Sequence, residues 1–455
     1  MATLESLRSL LVITQLGLIP TGPLDPKEKL LYSYKLPAEA RKHQTLPGAD
    51  EEMFADRTNW NLTPNRLSKA LAQHLSAGKR LFDLSASNPT EGGFEYNGES
   101  ILHALCNETA LTYVPDPKGL LRARQAVAEY YAGRGDEVSV EDIILTTSTS
   151  EAYSFVFRTL CNPGDELLVP APSYPLFGFL ADIHDVGLVQ YPLLYDYGWQ
   201  IDFHALEQAI TPRTRGVIVV NPNNPTGHFV KPEDLATLNE ICSARGMALV
   251  ADEVFLDFAY GESSARREAA RNSRPRGAAS RKAASLAVNT GALTFTMSGL
   301  SKISGLPQMK AAWLVTSGPE ALKAKALERL EVIADTYLSM NAPVQLALPE
   351  LLQQRHGFQK QVMTRVRKSV AELDRQLSQK KSCSRLEIEG GWYAVLRVPA
   401  TRSDDDLAVE LLTTKGIYVH PGHFYDFATD GYLIVSLIMQ EREFTEGIRL
   451  LLSMF

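Results

Sequence analysis

Residues 216–227 read GVIVVNPNNPTG, an apolar run that ends in a turn built from proline and asparagine. The run predicts a strand buried on both faces, because apolar and polar residues do not alternate in it. Prolines fix φ and asparagines tolerate turn geometry, so the turn has a purely structural reading. A proline-locked residue such as Asn224 is also a rigid hydrogen-bonding group at the end of a strand.

Similar apolar runs lie on both sides of this segment, and amphipathic segments of helical length separate them. One such helix is predicted at Glu151–Leu160. Another runs from Pro232, which suits a first turn, to Gly246, which suits a C-terminal cap. The alternation predicts an α/β fold with a mainly parallel sheet covered by helices. The other runs of strand length are Ile143–Thr146, Glu166–Val169, Met247–Ala251, Leu293–Met297 and Ala311–Val315.

The last third of the chain has a different pattern. Long helices follow Pro319, with a break at Asn341–Pro343, and a closing helix is predicted at Glu441–Leu452. Strand-like runs between these helices predict a smaller α+β domain. These runs are Trp392–Val398, Ile417–His420 and Tyr432–Ile438.

The chain of 455 residues is too long for one hydrophobic core, since single cores stop growing near ~250–300 residues. We expect a poorly ordered N-terminal extension at 1–57, then an arm and part of the small domain at 58–100. A large domain at 101–330 and the small C-terminal domain at 331–455 follow. Within the large domain, residues 261–284 are rich in arginine and small residues, which indicates a mobile surface insertion.

Composition excludes several classes of protein. A net charge of −7 argues against nucleic-acid binding, which needs a basic face. The apolar run Leu10–Ile19 is too short for a membrane span, and no small-x-small cleavage site follows it. The four cysteines are far apart with no CxxC pair, which argues against a zinc ribbon and a disulfide scaffold. We therefore expect a cytoplasmic protein without a metal site.

Chemically unusual residues follow several predicted strands, and ligands of parallel sheets bind beyond the C-terminal strand ends. Ser148 and Glu151 form an S-x-x-E capping box. A helix N-terminus of this kind suits a phosphate, although a capping box without a ligand is the commoner case. Asp252 ends a buried run, which is costly unless the carboxylate caps a helix or meets a cation such as a ring nitrogen. Lys302 is either a surface lysine or a partly buried amine suited to Schiff-base chemistry.

Two tyrosines join these residues as candidates. Tyr174 follows a predicted strand and offers an aromatic face to a flat cofactor. Tyr113 offers a phenol to a phosphate. Each tyrosine taken alone is more often a packing residue.

Three motifs in this order resemble the class I/II aminotransferases, which are fold-type I enzymes dependent on pyridoxal phosphate (PLP). The motifs are NPNNPTG at 221–227, Asp252-Glu253-Val254, and Ser301-Lys302 followed by Gly305-Leu306-Pro307. The resemblance covers roughly residues 60–455. It implies a large PLP-binding domain, PLP as the cofactor and a homodimer with shared active sites.

The resemblance also implies a role for individual residues. Lys302 is implied to form the Schiff base with PLP, and Asp252 to pair with the pyridine nitrogen. Asn224 is implied to bond to the ring hydroxyl oxygen and Tyr174 to stack on the ring. The expected phosphate contacts are Ser148, Thr149, Ser298, Ser301, Lys310 and, in the neighbouring subunit's site, Tyr113.

Several positions depart from the family pattern. Phe255 replaces a tyrosine, which removes one donor to the ring oxygen. Lys310 replaces an arginine and keeps the charge without the two-pronged geometry. Gly299 replaces a serine, for which the adjacent Ser298 is a substitute.

The substrate side departs from the pattern as well. Ile434 stands where the family has the arginine that holds the substrate carboxylate. Arg397 takes over this role if its side chain points inward, and a surface position is an equal alternative. His420 and His423 flank a Pro-Gly pair and line the substrate entrance on one reading, although a simple turn also explains them.

The implied function is transfer of an amino group from an amino acid to a 2-oxo acid through Lys302. A PLP-dependent lyase or decarboxylase on the same fold stays open, because Phe255 and Ile434 leave room for another reaction. A PLP-binding regulator with little catalysis is a third hypothesis. The retention of both Lys302 and Asp252 weakens it.

Overall fold

The computed structural model describes residues 53–175, 177–260 and 284–455. The expected N-terminal extension at 1–57 therefore lies outside the described residues except for its last five positions. The expected insertion at 261–284 lies outside them except for Ala284.

The strands of the described residues form three sheets. In chain order they are β1 Phe82–Asp83, β2 Ile143–Thr146, β3 Glu166–Ala171, β4 Gly187–Tyr195, β5 Trp199–Ile201, β6 Thr214–Val220, β7 Ala248–Asp252, β8 Thr294–Gly299, β9 Ala312–Ser317, β10 Ser384–Arg385, β11 Tyr393–Arg397, β12 Ile417–Tyr418, β13 His420–Pro421 and β14 Tyr432–Ser436. The large sheet has the order β2-β9-β8-β7-β6-β3-β4-β5. Its strands are parallel from β8 to β4, whereas β9 is antiparallel to β2 and β8, and β5 to β4. The predicted, mainly parallel sheet is thus confirmed.

Helices surround the sheets. Those of the described residues are α1 Arg66–Ser76, α2 Gly98–Leu105, α3 Leu121–Ala132, α4 Thr149–Leu160, α5 Phe177–Ile183, α6 Phe203–Gln208, α7 Pro232–Arg245, α8 Leu300–Ile303, α9 Glu320–Tyr337, α10 Ala342–Gln353, α11 Arg355–Leu377, α12 Asp404–Lys415 and α13 Glu441–Leu452. Short 3₁₀ turns lie at Asp56–Thr58, Pro89–Glu91, Glu108–Leu111, Val140–Asp142, Leu286–Val288, Pro307–Met309 and Gly422–Tyr425. Gly246 caps α7 in the left-handed region, at φ 65°, as its position after the helix predicts.

Both faces of the large sheet are buried, as the uninterrupted apolar runs indicate. On β6, Ile218 belongs to an apolar cluster with residues of α4, α5 and α9. Its neighbours Val217 and Val219 belong to a cluster on the other face, which includes residues of α7 and of the small domain. Because each face is covered, the chemistry of the sheet is confined to its edge, where the strands end.

The small domain is built on an antiparallel sheet in the order β10-β11-β14-β13. The predicted strand at 417–420 is two short strands, because β12 pairs with β1 and β13 pairs with β14. The pairing of β1 and the packing of α1 on α12 bring residues 66–83 to this domain. Helix α10 packs against α2 and α3, so the chain keeps contact with the large domain beyond residue 330.

No helix in the described ranges has both the length and the apolar composition that crossing a membrane requires.

Candidate active site

The C-terminal ends of β2, β3, β6, β7 and β8 lie at one edge of the large sheet. Strand β2 has the direction of β8, because both are antiparallel to β9. Each of the five strands is followed or ended by a residue that the sequence singles out. These residues are Ser148, Tyr174, Asn224, Asp252 and Lys302.

Asp252 is the last residue of β7 and is 8% exposed. Its Oδ1 accepts a hydrogen bond from the Val254 N–H at 3.1 Å, and its Oδ2 accepts one from the Tyr153 hydroxyl at 3.3 Å. Burial raises the pKa of Asp252 to about 6, while the two hydrogen bonds and the amine of Lys302 oppose the rise. The carboxylate is therefore ionised at neutral pH and ready to bind a cation.

Lys302 lies on α8, directly after β8. Its Nζ is 5.7 Å from the ring centroid of Phe255 and 5.1 Å from that of Trp392. Burial among these rings lowers the pKa of Lys302 to about 8, and the charge of Asp252 opposes that change. The amine thus loses its proton close to neutral pH, which gives it the nucleophilic and basic character of a catalytic lysine.

The asparagines of the turn after β6 have different surroundings. The Asn221 amide donates to Glu253 Oε1 at 3.0 Å, and the Asn223 amide donates to the Pro172 carbonyl at 3.1 Å. Asn224 is 7% exposed, and its Oδ1 has no hydrogen-bond partner among the described residues. A buried amide with unused capacity points to a ligand at this place.

Tyr174 follows β3 and keeps 37% of its surface exposed. Its ring meets Phe177 edge to face at a centroid distance of 6.3 Å. Burial of its hydroxyl and the negative charge of Asp252 raise the pKa of Tyr174. A flat cofactor that reaches Asp252 would meet this ring.

The loop between β2 and α4 has a modified capping box. The Ser148 hydroxyl accepts from the Glu151 N–H at 3.1 Å, as predicted. The Glu151 carboxylate reaches back to the N–H of Thr147 at 2.6 Å instead of to Ser148. Thr149 is the first residue of α4, so Ser148 and Thr149 lie at the positive end of the helix dipole. A helix N-terminus of this kind favours the binding of an anion.

The remaining predicted phosphate contacts occupy different positions. Ser301 is half-buried on α8, one residue before Lys302. The Ser298 hydroxyl donates to the main-chain oxygen of Glu253 at 3.3 Å. Lys310 is exposed in the turn before β9, with a left-handed φ of 52°. Tyr113 is 79% exposed.

The structure also places Ile434 and Arg397, the two residues considered for binding the substrate carboxylate. Ile434 is 1% exposed and lies opposite Val395 and His420 in the small sheet. Arg397 is exposed at the end of β11, with its guanidinium 5.6 Å from the ring of Tyr195. The guanidinium also lies 5.9 Å from the ring of Tyr432, its partner on β14.

The two histidines differ in burial. His420 is 7% exposed, and its Nδ1 lies 3.2 Å from the Tyr425 hydroxyl. His423 is half-buried and lies 3.6 Å from Asp405.

The sequence does not single out Tyr153 and Trp392 as site residues, and it names Glu253 only as part of the motif Asp252-Glu253-Val254. Tyr153 bonds to Asp252, and Trp392 packs on Lys302. Glu253 is fully buried, accepts from Leu286 N–H at 2.8 Å, and has its pKa raised by burial to about 7. The Asp-Glu pair was visible in the sequence, but the partners of Tyr153 and Trp392 come from distant segments.

Among the described residues, no group of three or more His, Cys, Asp or Glu side chains is arranged to hold a metal ion.

Comparisons with known proteins give a consistent result. The sequence model of a family described as "Aminotransferase class I and II" matches residues 58–449. The glutamate-pyruvate aminotransferase AlaA of Escherichia coli (strain K12) is 32% identical over 276 residues, which are 60% of this chain and 64% of that protein. The match thus spans less than two thirds of that relative's length.

Two further matches cover more of the chain. The alanine aminotransferase of Mycobacterium tuberculosis (strain ATCC 25618 / H37Rv) is 27% identical over 385 residues, which are 82% of this chain and 84% of that protein. The crystal structure of an aminotransferase from Escherichia coli superposes with a TM-score of 0.71 and 26% identity. That superposition covers 86% of this chain and 93% of the other.

Proposed function

Because the chain belongs to the aminotransferase class I and II family, we propose that it is a PLP-dependent aminotransferase that moves an amino group from an amino acid to a 2-oxo acid. The family resemblance expected from the sequence, the fold-type I architecture and the dependence of the family on PLP are confirmed. The observation that carries the proposed activity is the pair formed by Lys302 and Asp252. The two residues come from neighbouring strands, and each changes the pKa of the other.

The residues at the sheet edge fit PLP. The orphaned amide of Asn224 suits the ring hydroxyl, and the ionised Asp252 suits the ring nitrogen. Tyr174 would cover one face of the ring, and Ser148, Thr149 and Ser301 would hold the phosphate at the N-terminus of α4 and on α8. When bound, PLP supplies an electron-withdrawing ring that stabilises negative charge on the substrate carbon.

Ser298 and Lys310 play secondary parts in this proposal. The Ser298 hydroxyl already donates to the Glu253 carbonyl, so it fixes the start of the Lys302 segment. Lys310 is exposed and adds positive charge near the phosphate end without a directional contact.

Lys302 is the proposed base. With a pKa of about 8, its Nζ is neutral in a useful fraction of molecules at neutral pH. It can accept the proton of the substrate carbon and return it to another atom of the same complex. The rings of Phe255 and Trp392 lie beside Nζ and limit its contact with water on their side.

Asp252 is the proposed electrostatic partner of the ring nitrogen. A carboxylate fixed by Val254 and Tyr153 keeps its orientation when the ring binds. Its negative charge favours a protonated ring nitrogen, which is the form that withdraws electrons.

A homodimer with shared active sites is part of the proposal. Large apolar side chains near residues 102–121 are exposed, and such a patch is typical of a surface that a partner covers. They are Leu102, Leu111, Tyr113, Val114 and Leu121. Tyr113 would reach the phosphate in the neighbouring subunit. The four cysteines are free thiols, which agrees with a cytoplasmic location.

Lyase or decarboxylase chemistry is the second candidate, and Ile434 favours it. This residue is buried where the family has the arginine for the substrate carboxylate. A carboxylate that no arginine holds is free to take another orientation at the same centre. A regulator with little catalysis is the weaker alternative, because the chain retains both Lys302 and Asp252.

A panel of amino acids separates these functions. The PLP-loaded protein is mixed with each amino acid, and conversion to the aminated cofactor is followed by absorbance, with the products identified by mass spectrometry. A 2-oxo acid with the aminated cofactor supports the aminotransferase. Carbon dioxide or an eliminated group supports the lyase, and no product from any amino acid supports the regulator.

A further inference from the structure

Tyr153 has a contact that no known role of the site accounts for. It lies on α4, five positions after the N-cap Ser148, and is 2% exposed. Its hydroxyl is 3.3 Å from Oδ2 of Asp252, which belongs to a different strand. The ring nitrogen partner is therefore held by a side chain of the same helix whose N-terminus forms the anion site.

The direction of this hydrogen bond is fixed. Burial and the charge of Asp252 raise the pKa of Tyr153 well above its usual value, so the phenol keeps its proton. The carboxylate is ionised above pH about 6. Tyr153 thus donates and Asp252 accepts over the whole neutral range.

The bond completes the support of the carboxylate. Oδ1 accepts from the Val254 N–H at 3.1 Å, which is a main-chain group of the same segment. Oδ2 accepts from Tyr153, so each carboxylate oxygen has its own donor. A donor to the ionised form also favours ionisation and opposes the effect of burial.

The ring of Tyr153 is itself fixed by aromatic neighbours. Phe177 lies 5.3 Å away and Phe157 5.9 Å away, measured between ring centroids. Phe177 also contacts the ring of Tyr174. The hydroxyl of Tyr153 therefore has little freedom to leave Asp252.

We propose that Tyr153 is a positioning residue that holds Asp252 ionised and correctly oriented for the ring nitrogen of PLP. Through α4 it joins the phosphate end of the site, at Ser148, to the ring-nitrogen end, at Asp252. This inference rests on the proposed function, because it assumes that PLP binds at this edge of the sheet.

The test compares Tyr153→Phe with Tyr191→Phe in the full-length protein. Tyr191 is 1% exposed and donates to the Ile218 carbonyl at 2.8 Å, so its replacement also removes one buried hydroxyl bond. Two quantities are measured: the dissociation constant for PLP, and the pH midpoint of the visible absorbance change of the loaded protein.

We expect Tyr153→Phe to weaken PLP binding by roughly tenfold, the usual effect of a hydrogen bond to a charged group. The pH midpoint should rise by about half a unit to one unit. Without the Tyr153 hydroxyl, Asp252 stabilises a protonated ring nitrogen less well, so the ring carries less positive charge and the nitrogen contributed by Lys302 is easier to protonate. Tyr191→Phe should lower thermal stability and leave both quantities at the wild-type value.

A third protein carries 3-fluorotyrosine at position 153, a nearly isosteric change that makes the phenol a stronger donor. Its pH midpoint should move in the opposite direction, and this result decides the question if Tyr153→Phe does not fold. Wild-type values for Tyr153→Phe, or equal changes in both phenylalanine variants, would overturn the inference and leave the proposed function intact. Failure of the wild-type protein to bind PLP would overturn both.

Discussion

Asp252 ends β7, and Lys302 follows the neighbouring strand β8. The charge of Lys302 lowers the pKa of Asp252, and the charge of Asp252 raises the pKa of Lys302, so each group favours the charged form of the other. Burial raises the pKa of Asp252 and lowers the pKa of Lys302, and for both residues burial is the larger effect. The charged form of each group would therefore be more stable in water than in the folded protein. Its first testable consequence concerns the stability of the protein without PLP.

Asp252→Asn should stabilise the PLP-free protein at pH 7. The pKa of Asp252 in the folded state is about 6 and its ordinary value is 3.8, so ionisation opposes folding. The loss of folding free energy that this ionisation causes is absent below pH 3.8, grows between pH 3.8 and about 6, and is constant at higher pH. We expect a gain of about 1–3 kcal/mol in the free energy of unfolding at pH 7, since one pKa unit is worth about 1.4 kcal/mol.

Urea unfolding between pH 4.5 and 7.5 measures this gain. Asp196→Asn is the control, because Asp196 is an exposed carboxylate in the turn between β4 and β5. If the gain in stability from Asp252→Asn does not grow with pH, the ionisation of Asp252 does not oppose folding and the prediction is wrong.

Gly299→Ala should destabilise the protein. A β-carbon at residue 299 would lie 2.8 Å from the β-carbon of Ala312 and 2.9 Å from the Ala311 carbonyl oxygen. Strand β9 is therefore too close to accept the serine that the family pattern has at this place. We expect a loss of about 1–3 kcal/mol, the usual cost of overpacking.

Gly357→Ala is the matched control for this substitution. Gly357 lies in α11, and a β-carbon there meets nothing within 4 Å. Alanine should stabilise this helix by about 0.5–1 kcal/mol. Thermal unfolding of the two variants should shift in opposite directions, and a neutral Gly299→Ala would show that β9 can move aside.

Leu111→Glu should dissociate the proposed homodimer. Leu111 is 91% exposed and belongs to the apolar patch that includes Tyr113. A charge in a covered apolar patch costs free energy unless a partner neutralises it. Size-exclusion chromatography with light scattering should find a dimer for the wild type and a monomer for the variant.

Leu194→Glu is the control outside the patch, since Leu194 is 53% exposed on β4. It should remain a dimer. A monomeric wild type would contradict the proposed homodimer, and a dimeric Leu111→Glu would place the interface elsewhere.

The central features of the fold could be predicted because buried parallel strands give uninterrupted apolar runs. β6 and β7 were identified in this way, together with the residues at their ends, Asn224 and Asp252. β4 was not, because it lies near the sheet edge with only Tyr191 and Leu193 buried, so its sequence lacks a continuous apolar run.

The support of the site could not be predicted for a different reason. The bond from Tyr153 to Asp252 joins residues 99 positions apart, and the contact of Trp392 with Lys302 joins two domains. Neither pair leaves a local pattern in the sequence. The division of 417–420 into β12 and β13 likewise depends on two partners from distant parts of the chain, β1 and β14.

The most direct test of the account is to find where PLP attaches. The full-length protein is loaded with PLP, reduced with borohydride, digested and mapped by mass spectrometry. We predict that the label lies on Lys302 and that Lys302→Ala loses both the label and the visible absorbance band. A label on any other lysine, or a band that survives in Lys302→Ala, would contradict the account.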